Sequence, residues 1–249
     1  MWVTKLDVQR VQNFDKIKKF SDCLCSETKI GLSFNGNYIR TLYTTGAKQK
    51  ELCVGYLLYE GLIEKDTALK IGDFSPDYTL NIDAPKSNDD LSATLDSLEK
   101  KTSVKPEEKK DFIITRSQVF LLTAFFQEKA MLFKQTAITE SAAIADTDSI
   151  LAFGEDLSGE QAVCKALGIW RGLKVDKTLC STPILISSAK LSIDLVMKGY
   201  RLGISRFISR VAPTLAAYEF AIANNISLIG FSRNKKFTVY TNPGKEVRL

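Results

Sequence analysis

The sequence predicts an α/β protein in two parts: a small N-terminal α+β domain over residues 1–83 and a larger α/β domain over 112–249. In the second half, short apolar runs typical of strands alternate with helical segments, an order that favours a layered, partly parallel sheet. Between the halves, residues 84–111 are polar, charged and bounded by prolines, which is typical of a linker. We therefore expect a protease to cut this linker first.

The first half carries strand and hairpin signals. Residues 2–11 alternate loosely between apolar and polar and predict a strand. Asn35-Gly36 supplies the two positive-φ residues of a type I′ turn, which predicts a hairpin over 29–44. In residues 47–63, apolar side chains recur at helical spacing, which predicts a helix. Two further short strands are expected in the runs TALKIGDF and YTLNIDA.

The second half predicts four helices and six strands in alternation. Ser158 and Gln161 form the capping-box pattern of one helix, and Pro213 suits the first position of another. The predicted helices lie at 116–128, 159–172, 193–200 and 213–224, and the strands at 130–136, 149–154, 182–187, 204–209, 227–232 and 236–241.

Composition excludes several classes of function. The sequence has no histidine, which excludes histidine-dependent triads and the common histidine-containing zinc sites. The H-x-E and P-C-x-x-C motifs of zinc deaminases are also absent, so we expect no bound zinc. The net charge of +5 suits a small anionic ligand but is too weak to indicate nucleic acid. No apolar run is long enough to cross a membrane, and no secretory signal is present, so we expect a cytoplasmic protein.

The five cysteines indicate free thiols, because the count is odd and no signal peptide is present. Cys23 and Cys25 are the only close pair. They could carry sulfur or bind a soft metal, since lysines nearby would favour the thiolate; alternatively, they are two ordinary thiols near a helix end. Cys53 falls in an apolar helical run and is predicted to be core. Cys180 precedes a strand and is predicted to be structural.

Two long motifs resemble the FdhD/NarQ family of formate dehydrogenase accessory proteins. The segment 209–241 is similar to the family's S-x-x-A-P-T…G-F-x-R…Y-T signature. Residues 35–63 are similar to its N-G…E-L-x-x-G-F-L-x-x-E-G motif, although Gly46 replaces the usual proline. The matching residues are Ser209, Ala212, Pro213, Thr214, Leu228, Gly230, Phe231, Arg233, Phe237, Val239, Tyr240 and Thr241, with Asn35, Gly36, Glu51, Leu52, Gly55, Leu57, Glu60 and Gly61.

This resemblance implies a cytidine-deaminase-like C-terminal domain, with helices on both faces of a mixed sheet. It also implies a dimeric protein that helps to mature formate dehydrogenase. Such a protein takes sulfur from a cysteine desulfurase and passes it to the molybdenum cofactor. The implied ligand is molybdopterin guanine dinucleotide or a guanine nucleotide.

The chain departs from the family in its polar centre. The family's sulfur-carrying C-x-x-C has no counterpart in residues 84–111, and Gln127 stands where a histidine is usual. The family's E-D-V-G-R-H-N-A-x-D-K is EDLSGEQAVCK at 155–165, in which Cys164 is a further candidate for a chemical role. Whether the chain transfers sulfur is therefore open. The alternative is a non-catalytic nucleotide- or partner-binding protein derived from the same family, and no catalytic residue is assigned.

A ligand site is expected where strands ending at Asp156, Ser187 and Ser209 are each followed by a helix. Helix N-termini that meet at one sheet edge form a natural anion site. Arg210 and Arg233 could add charge-assisted bonds to a phosphate. Alternatively, the hydroxyls only cap helices, the basic turn is a solvated hairpin, and Glu155-Asp156 only complements a helix N-terminus. The predicted cofactor-binding residues are Phe231, Ser232, Arg233, Asn234, Lys235, Lys236, Ser188, Ser209, Pro213 and Thr214.

Overall fold

The computed structural model describes residues 2–13, 16–85, 112–173 and 182–248. The strands are β1 (Val3–Gln12), β2 (Lys16–Cys25), β3 (Thr28–Phe34), β4 (Asn37–Thr44), β5 (Lys70–Phe74), β6 (Thr79–Asp83), β7 (Ile114–Thr115), β8 (Glu140–Ala145), β9 (Ile150–Asp156), β10 (Ile184–Ser187), β11 (Arg206–Ser209), β12 (Ser227–Arg233), β13 (Lys236–Thr241) and β14 (Val247–Arg248). The helices are α1 (Gln49–Tyr59), α2 (Arg116–Lys129), α3 (Met131–Thr136), α4 (Gly159–Gly172), α5 (Ile193–Arg201) and α6 (Leu215–Ala223).

A mixed six-stranded sheet forms the second half, in the order β13-β12-β11-β10-β8-β9. Strands β10, β11 and β12 are parallel neighbours. Strand β8 runs antiparallel to both β10 and β9, so β9 points the same way as β10. The carboxyl ends of β9, β10, β11 and β12 therefore meet at one edge of the sheet. The mixed α/β fold expected from the sequence is confirmed.

Helices cover both faces of this sheet, because its buried strands are apolar on both sides. In β10, Leu185 faces the apolar cluster shared with α1, α4, α5 and α6. Its neighbours Ile184 and Ile186 face a second cluster, which contains residues of α2. Strand β10 is buried throughout, as expected for a strand buried on both faces.

The first half contains a four-stranded sheet in the order β4-β3-β6-β5. The predicted hairpin of β3 and β4 is confirmed, with φ of 49° at Asn35 and 79° at Gly36. Ile30 and Leu32 of β3 are fully buried in the same cluster as Leu185. One apolar core thus includes residues from both halves of the chain.

Two glycines bring α1 and α4 into backbone contact. A Cβ added at Gly55 would lie 1.7 Å from the carbonyl oxygen of Cys164, and one added at Gly168 would lie 1.9 Å from that of Glu51. Only a hydrogen atom fits at either position, so the two helices cross more closely than any other side chain would allow. This crossing joins the first half to the second.

Strands β1 and β2 form a separate two-stranded antiparallel ribbon, with Val3 opposite Cys25 and Gln12 opposite Lys16. Cys23 and Cys25 therefore lie on a strand, and the expectation of a helix end there was wrong. The lysine-rich start of β2 hides the alternation that would have predicted a strand. The ribbon contacts α3 through β2.

The structure corrects two further predictions in the second half. Residues 131–136 are helical, whereas a strand was expected over 130–136, and the strand Glu140–Ala145 was missed. The carboxylate of Glu155 accepts hydrogen bonds from the backbone N–H groups of Leu132 (3.1 Å) and Phe133 (2.7 Å), which stabilises the short helix from a distant part of the chain. Helix α6 begins at Leu215 rather than at Pro213, because Thr214 is its N-cap.

The division into domains stays a prediction. Of the proposed linker 84–111, only Ala84 and Pro85 belong to the described residues. Cys180 also lies outside them.

Candidate functional site

Three helix N-termini face the sheet edge where β9, β10 and β11 end, as the sequence predicted. Strands β9 and β10 are not direct neighbours, because β8 lies between them. Each helix has a hydroxyl N-cap: Ser158, Ser192 and Thr214 accept hydrogen bonds from backbone N–H groups of α4, α5 and α6. The edge therefore carries the partial positive charge of three helices.

The predicted serine ligands at this edge already have partners within the protein. The Ser188 hydroxyl donates to Glu140 and accepts from the Ser141 backbone N–H at 2.8 Å. The Ser209 hydroxyl donates to the carbonyl oxygen of Ala189 at 2.8 Å and accepts from the Val211 N–H at 3.0 Å. Neither hydroxyl caps a helix, because the N-caps are Ser192 and Thr214, so the capping alternative is wrong for Ser188 and Ser209. Their hydrogen bonds instead fix the loops that follow β10 and β11.

The basic turn of Phe231–Lys236 joins β12 to β13. Asn234 and Lys235 have φ of 53° and 57°, which makes a tight turn between antiparallel strands. Arg233, Lys235 and Lys236 are exposed. Among the described residues, no ion pair engages these three cations.

The base of the basic turn is anchored to the loop that follows β11. Phe231, with φ of 50°, donates its N–H to the carbonyl oxygen of Val211 at 3.3 Å. A Cβ at Gly230 would lie 2.8 Å from the same oxygen, so this close approach needs glycine. Ser232 is buried, and its hydroxyl lies 2.6 Å from that of Thr123 on α2. The turn is thus held in a fixed position beside the N-terminus of α6.

A buried ion pair lies at the end of β9. Lys165 Nζ lies 2.8 Å from Asp156 Oδ2, and both side chains are almost fully buried. Asp156 also accepts from the Thr44 hydroxyl at 2.7 Å and from the Thr45 backbone N–H at 2.9 Å. Lys165 donates to the Thr45 hydroxyl at 2.9 Å. Burial lowers the pKa of Lys165, while the Asp156 carboxylate opposes that shift.

These contacts favour the structural interpretation of Glu155-Asp156. Asp156 binds the end of β4 to α4, and Glu155 caps α3 while accepting from the Thr139 hydroxyl at 2.9 Å. Thr44 and Thr45 were missed by the sequence analysis, and no local pattern identifies them, because their partners are more than a hundred residues away.

Burial raises the pKa values of three thiols, those of Cys25, Cys53 and Cys164. Burial raises the pKa of Cys25, the Asp156 carboxylate adds to the rise, and Lys165 opposes it. Burial raises the pKa of Cys53 to about 12. Cys164 is fully buried, and burial raises its pKa well above the usual range. A raised pKa leaves little thiolate at neutral pH, so these three thiols are poor nucleophiles in this conformation.

Among the described residues, no group of three or more cysteine, aspartate or glutamate side chains is placed to hold a metal ion. Within the same ranges, no helix has the length and apolar character needed to cross a membrane.

Comparison with known proteins places the chain in a family. The model of the FdhD/NarQ family matches residues 25–246. The chain is 24% identical to the sulfur carrier protein FdhD of Wolinella succinogenes, over 98% of this chain and 89% of that protein. It is 27% identical to the sulfur carrier protein FdhD of Bacillus subtilis, over 95% of each.

A solved structure shares the fold. It is the crystal structure of a Desulfotalea psychrophila protein assigned as a formate dehydrogenase accessory protein, with a TM-score of 0.80 and 16% identity over 99% of this chain and all of that one. The family match extends over most of the sequence, and it includes both the basic turn and the buried ion pair. The chain belongs to the FdhD/NarQ family.

Proposed function

We propose that this protein is an accessory protein for formate dehydrogenase, and that it binds the guanine nucleotide end of a molybdopterin guanine dinucleotide-type cofactor. The observation that carries the proposal is the exposed basic turn of Arg233, Lys235 and Lys236, anchored beside the N-terminus of α6. The relatives named sulfur carrier protein FdhD support the same role. The proposal includes a cytoplasmic homodimer and a cytidine-deaminase-like arrangement of the second half.

The residues at the sheet edge fit an anionic ligand. The turn offers three cations without ion-pair partners among the described residues, and the unpaired N–H groups at the start of α6 offer donors to a phosphate. Ser188 and Ser209 would act by fixing the loops, since their hydroxyls are already bonded. When bound, the cofactor would supply the metal centre that receives sulfur, while this chain binds and orients the nucleotide.

Calorimetry with GDP tests the nucleotide site. Arg233→Ala should weaken binding by about 1.5–3 kcal/mol, the range for a hydrogen bond to a charged group. Lys70→Ala, which removes an exposed cation from β5 in the other sheet, should leave the affinity unchanged. Absence of binding at millimolar GDP, or equal affinity in the Arg233→Ala variant, would remove this site from the proposal.

Sulfur transfer by this chain is a separate question. A second candidate function, binding of a nucleotide or partner without persulfide chemistry, is favoured by the lost C-x-x-C and by the raised pKa values of Cys25, Cys53 and Cys164. We expect a cysteine desulfurase with labelled cysteine to leave little persulfide on the protein. A stable persulfide on Cys23, Cys25 or Cys164, detected by mass spectrometry, would instead support the sulfur carrier.

A further inference from the structure

Helix α6 lacks the polar outer face that is usual for a helix at the surface of a soluble protein. Of its nine residues, Glu219 is the only charged one. Its inner side buries Ala217 and Ala221 completely, whereas Leu215 and Ile222 on the outer side are 72% and 57% exposed. A helix that is apolar on all sides is normally a buried helix. A further molecule is therefore expected to cover the outer face of α6.

The exposed side chains form one continuous surface, which we call the α6 stripe: Leu215, Glu219 and Ile222. Their spacing of i, i+4 and i+7 places them on one side of the helix, along roughly 10 Å of its axis. Ala216 and Ala223 are also exposed and add no polar group. The stripe thus has two large apolar side chains with a carboxylate between them. Exposed apolar side chains that lie together in this way mark an interaction site.

The α6 stripe begins at the sheet edge where the ligand is expected. Leu215 directly follows Thr214, the N-cap of α6. Val211, in the loop before the helix, is 40% exposed, and its carbonyl oxygen accepts from the N–H of Phe231 at the base of the basic turn. A molecule that covers the stripe would therefore also meet a ligand held at the N-terminus of the same helix.

Glu219 indicates which kind of molecule the stripe fits. It is exposed, and no ion pair within the described part of the chain engages it. It is also the middle residue of α6, so a two-fold contact centred on the stripe would set Glu219 against its own copy. Like charges brought together at an interface are unfavourable, and an anionic membrane surface would repel the same carboxylate. The stripe instead fits a partner protein with a cation at the centre of an apolar surface.

We propose that the α6 stripe is the docking surface for formate dehydrogenase. The partner places apolar side chains against Leu215 and Ile222, and a lysine or arginine against Glu219. This inference rests on the proposed function, because it takes the enzyme that receives the cofactor as the partner. Docking here brings the enzyme to the ligand edge while the basic turn still holds the nucleotide.

Binding of the full chain to cofactor-free formate dehydrogenase of the same organism tests the surface. We expect Ile222→Glu to raise the dissociation constant by about tenfold or more, as for a buried apolar anchor. Ile222→Ser, which adds no charge, should give a smaller loss in the same direction. Leu121→Glu, at a 44% exposed position of α2 on the opposite face of the sheet, is the matched control and should leave the constant unchanged. No binding by the wild type, an unaffected Ile222→Glu variant, or an equal loss in the control would overturn the proposal.

Salt dependence tests the cation assigned to Glu219. The wild-type dissociation constant should rise with ionic strength, and Glu219→Gln should reduce this dependence, because salt screens an ion pair but has little effect on an amide contact. Glu219→Lys should weaken binding more than Glu219→Gln does, since it sets two cations against each other. Identical salt dependence in the wild type and Glu219→Gln would show that no cation faces this residue.

A photoreactive phenylalanine analogue at position 222 identifies the occupant. Cross-links to formate dehydrogenase support the proposal, whereas cross-links to a second copy or to lipid in its place would overturn it. Calorimetry with GDP separates docking from the nucleotide site. Ile222→Glu should bind GDP as the wild type does, because Ile222 lies two turns from the N-terminus of α6. If the wild type binds formate dehydrogenase through Ile222 but does not bind GDP, only the nucleotide site fails.

Discussion

Lys165 and Asp156 form a buried ion pair, with 2.8 Å between Nζ and Oδ2, at the point where the two halves of the chain meet. Thr44 and Thr45, from the end of the β3–β4 hairpin, add hydrogen bonds to it. A buried charge that keeps all its partners is tolerated, whereas one that loses a partner is strongly unfavourable. The pair therefore adds a buried polar contact to the apolar contact between the halves.

Removing either member of this pair should be costly. We expect Lys165→Met to lower the free energy of unfolding by about 3–5 kcal/mol, because the carboxylate of Asp156 would remain buried without its counter-ion. Urea unfolding measures the change. Lys50→Met, which removes the partner of the exposed Asp73, is the control and should have almost no effect. A similarly small loss in Lys165→Met would show that water reaches the pair.

At the crossing of α1 and α4, we expect that even one added methyl group at Gly55 or Gly168 destabilises the protein. Gly55→Ala and Gly168→Ala should each destabilise the protein by about 1–3 kcal/mol or more, because the obstructing atoms are backbone carbonyls that cannot move aside. Gly172→Ala, at the end of α4 with no atom nearby, should be neutral or slightly stabilising. The melting temperatures of the three variants, measured by thermal unfolding, test this prediction. Equal melting temperatures would mean that the helices separate without penalty.

Alkaline pH should destabilise the protein through its buried thiols. The pKa of Cys53 rises from 9.0 to about 12 on folding. A group whose pKa is raised in the folded state contributes its full stability below the unfolded value, so this contribution is lost as pH rises from about 9 toward 12, at about 1.4 kcal/mol per pH unit. Cys53→Val should reduce the slope of stability against pH over this range.

The control for that slope is Val54→Ala on the same helix. It removes buried apolar surface without removing a titrating group, so it should lower stability by a similar amount at every pH. Cys164 and Tyr59, whose pKa values burial also raises, should maintain a residual slope in Cys53→Val. A slope that is identical in wild type and Cys53→Val would contradict the prediction.

Proteolysis tests the predicted linker. A protease should cut first within 84–111, because polar segments open more readily than packed elements. Since one apolar cluster includes Ile30 and Leu32 as well as Leu167 and Leu185, the two fragments should remain together under native conditions and separate only in denaturant. Size-exclusion chromatography of the cut protein shows whether the two fragments stay together. Early cuts within 180–240 would contradict the linker, and separate native fragments would contradict the shared core.

Local signals predicted the elements whose structure is decided locally. Asn35-Gly36 is sufficient to specify a hairpin turn, and Ser158 with Gln161 marks the start of α4, where the Ser158 hydroxyl accepts from the Gln161 N–H at 3.3 Å. The strand prediction for residues 131–136 was wrong, because their helix depends on Glu155, a residue some twenty positions later in the chain. A short apolar run is compatible with either structure, so the tertiary contact decides.

For the candidate site too, the local features were predictable and the contacts between distant residues were not. The basic turn at 233–236 and the convergence of helix N-termini follow from the order of strands and helices. The engagement of Ser188 and Ser209 in internal hydrogen bonds does not, because their partners Glu140 and Ala189 belong to neighbouring strands and loops. The ion pair of Asp156 with Lys165 was not predictable either, although both residues stand in the family-like motif at 155–165.

The shared core has a consequence for synthesis of the protein on the ribosome. Helix α1 buries Leu52, Leu57 and Leu58 in a cluster whose other side includes Val163 and Leu167 of α4. Until α4 emerges from the exit tunnel, the leading half of the nascent chain lacks the α4 residues that complete this cluster. Early folding of that half is therefore disfavoured, because its apolar side chains meet their remaining partners only after about a hundred further residues have been added.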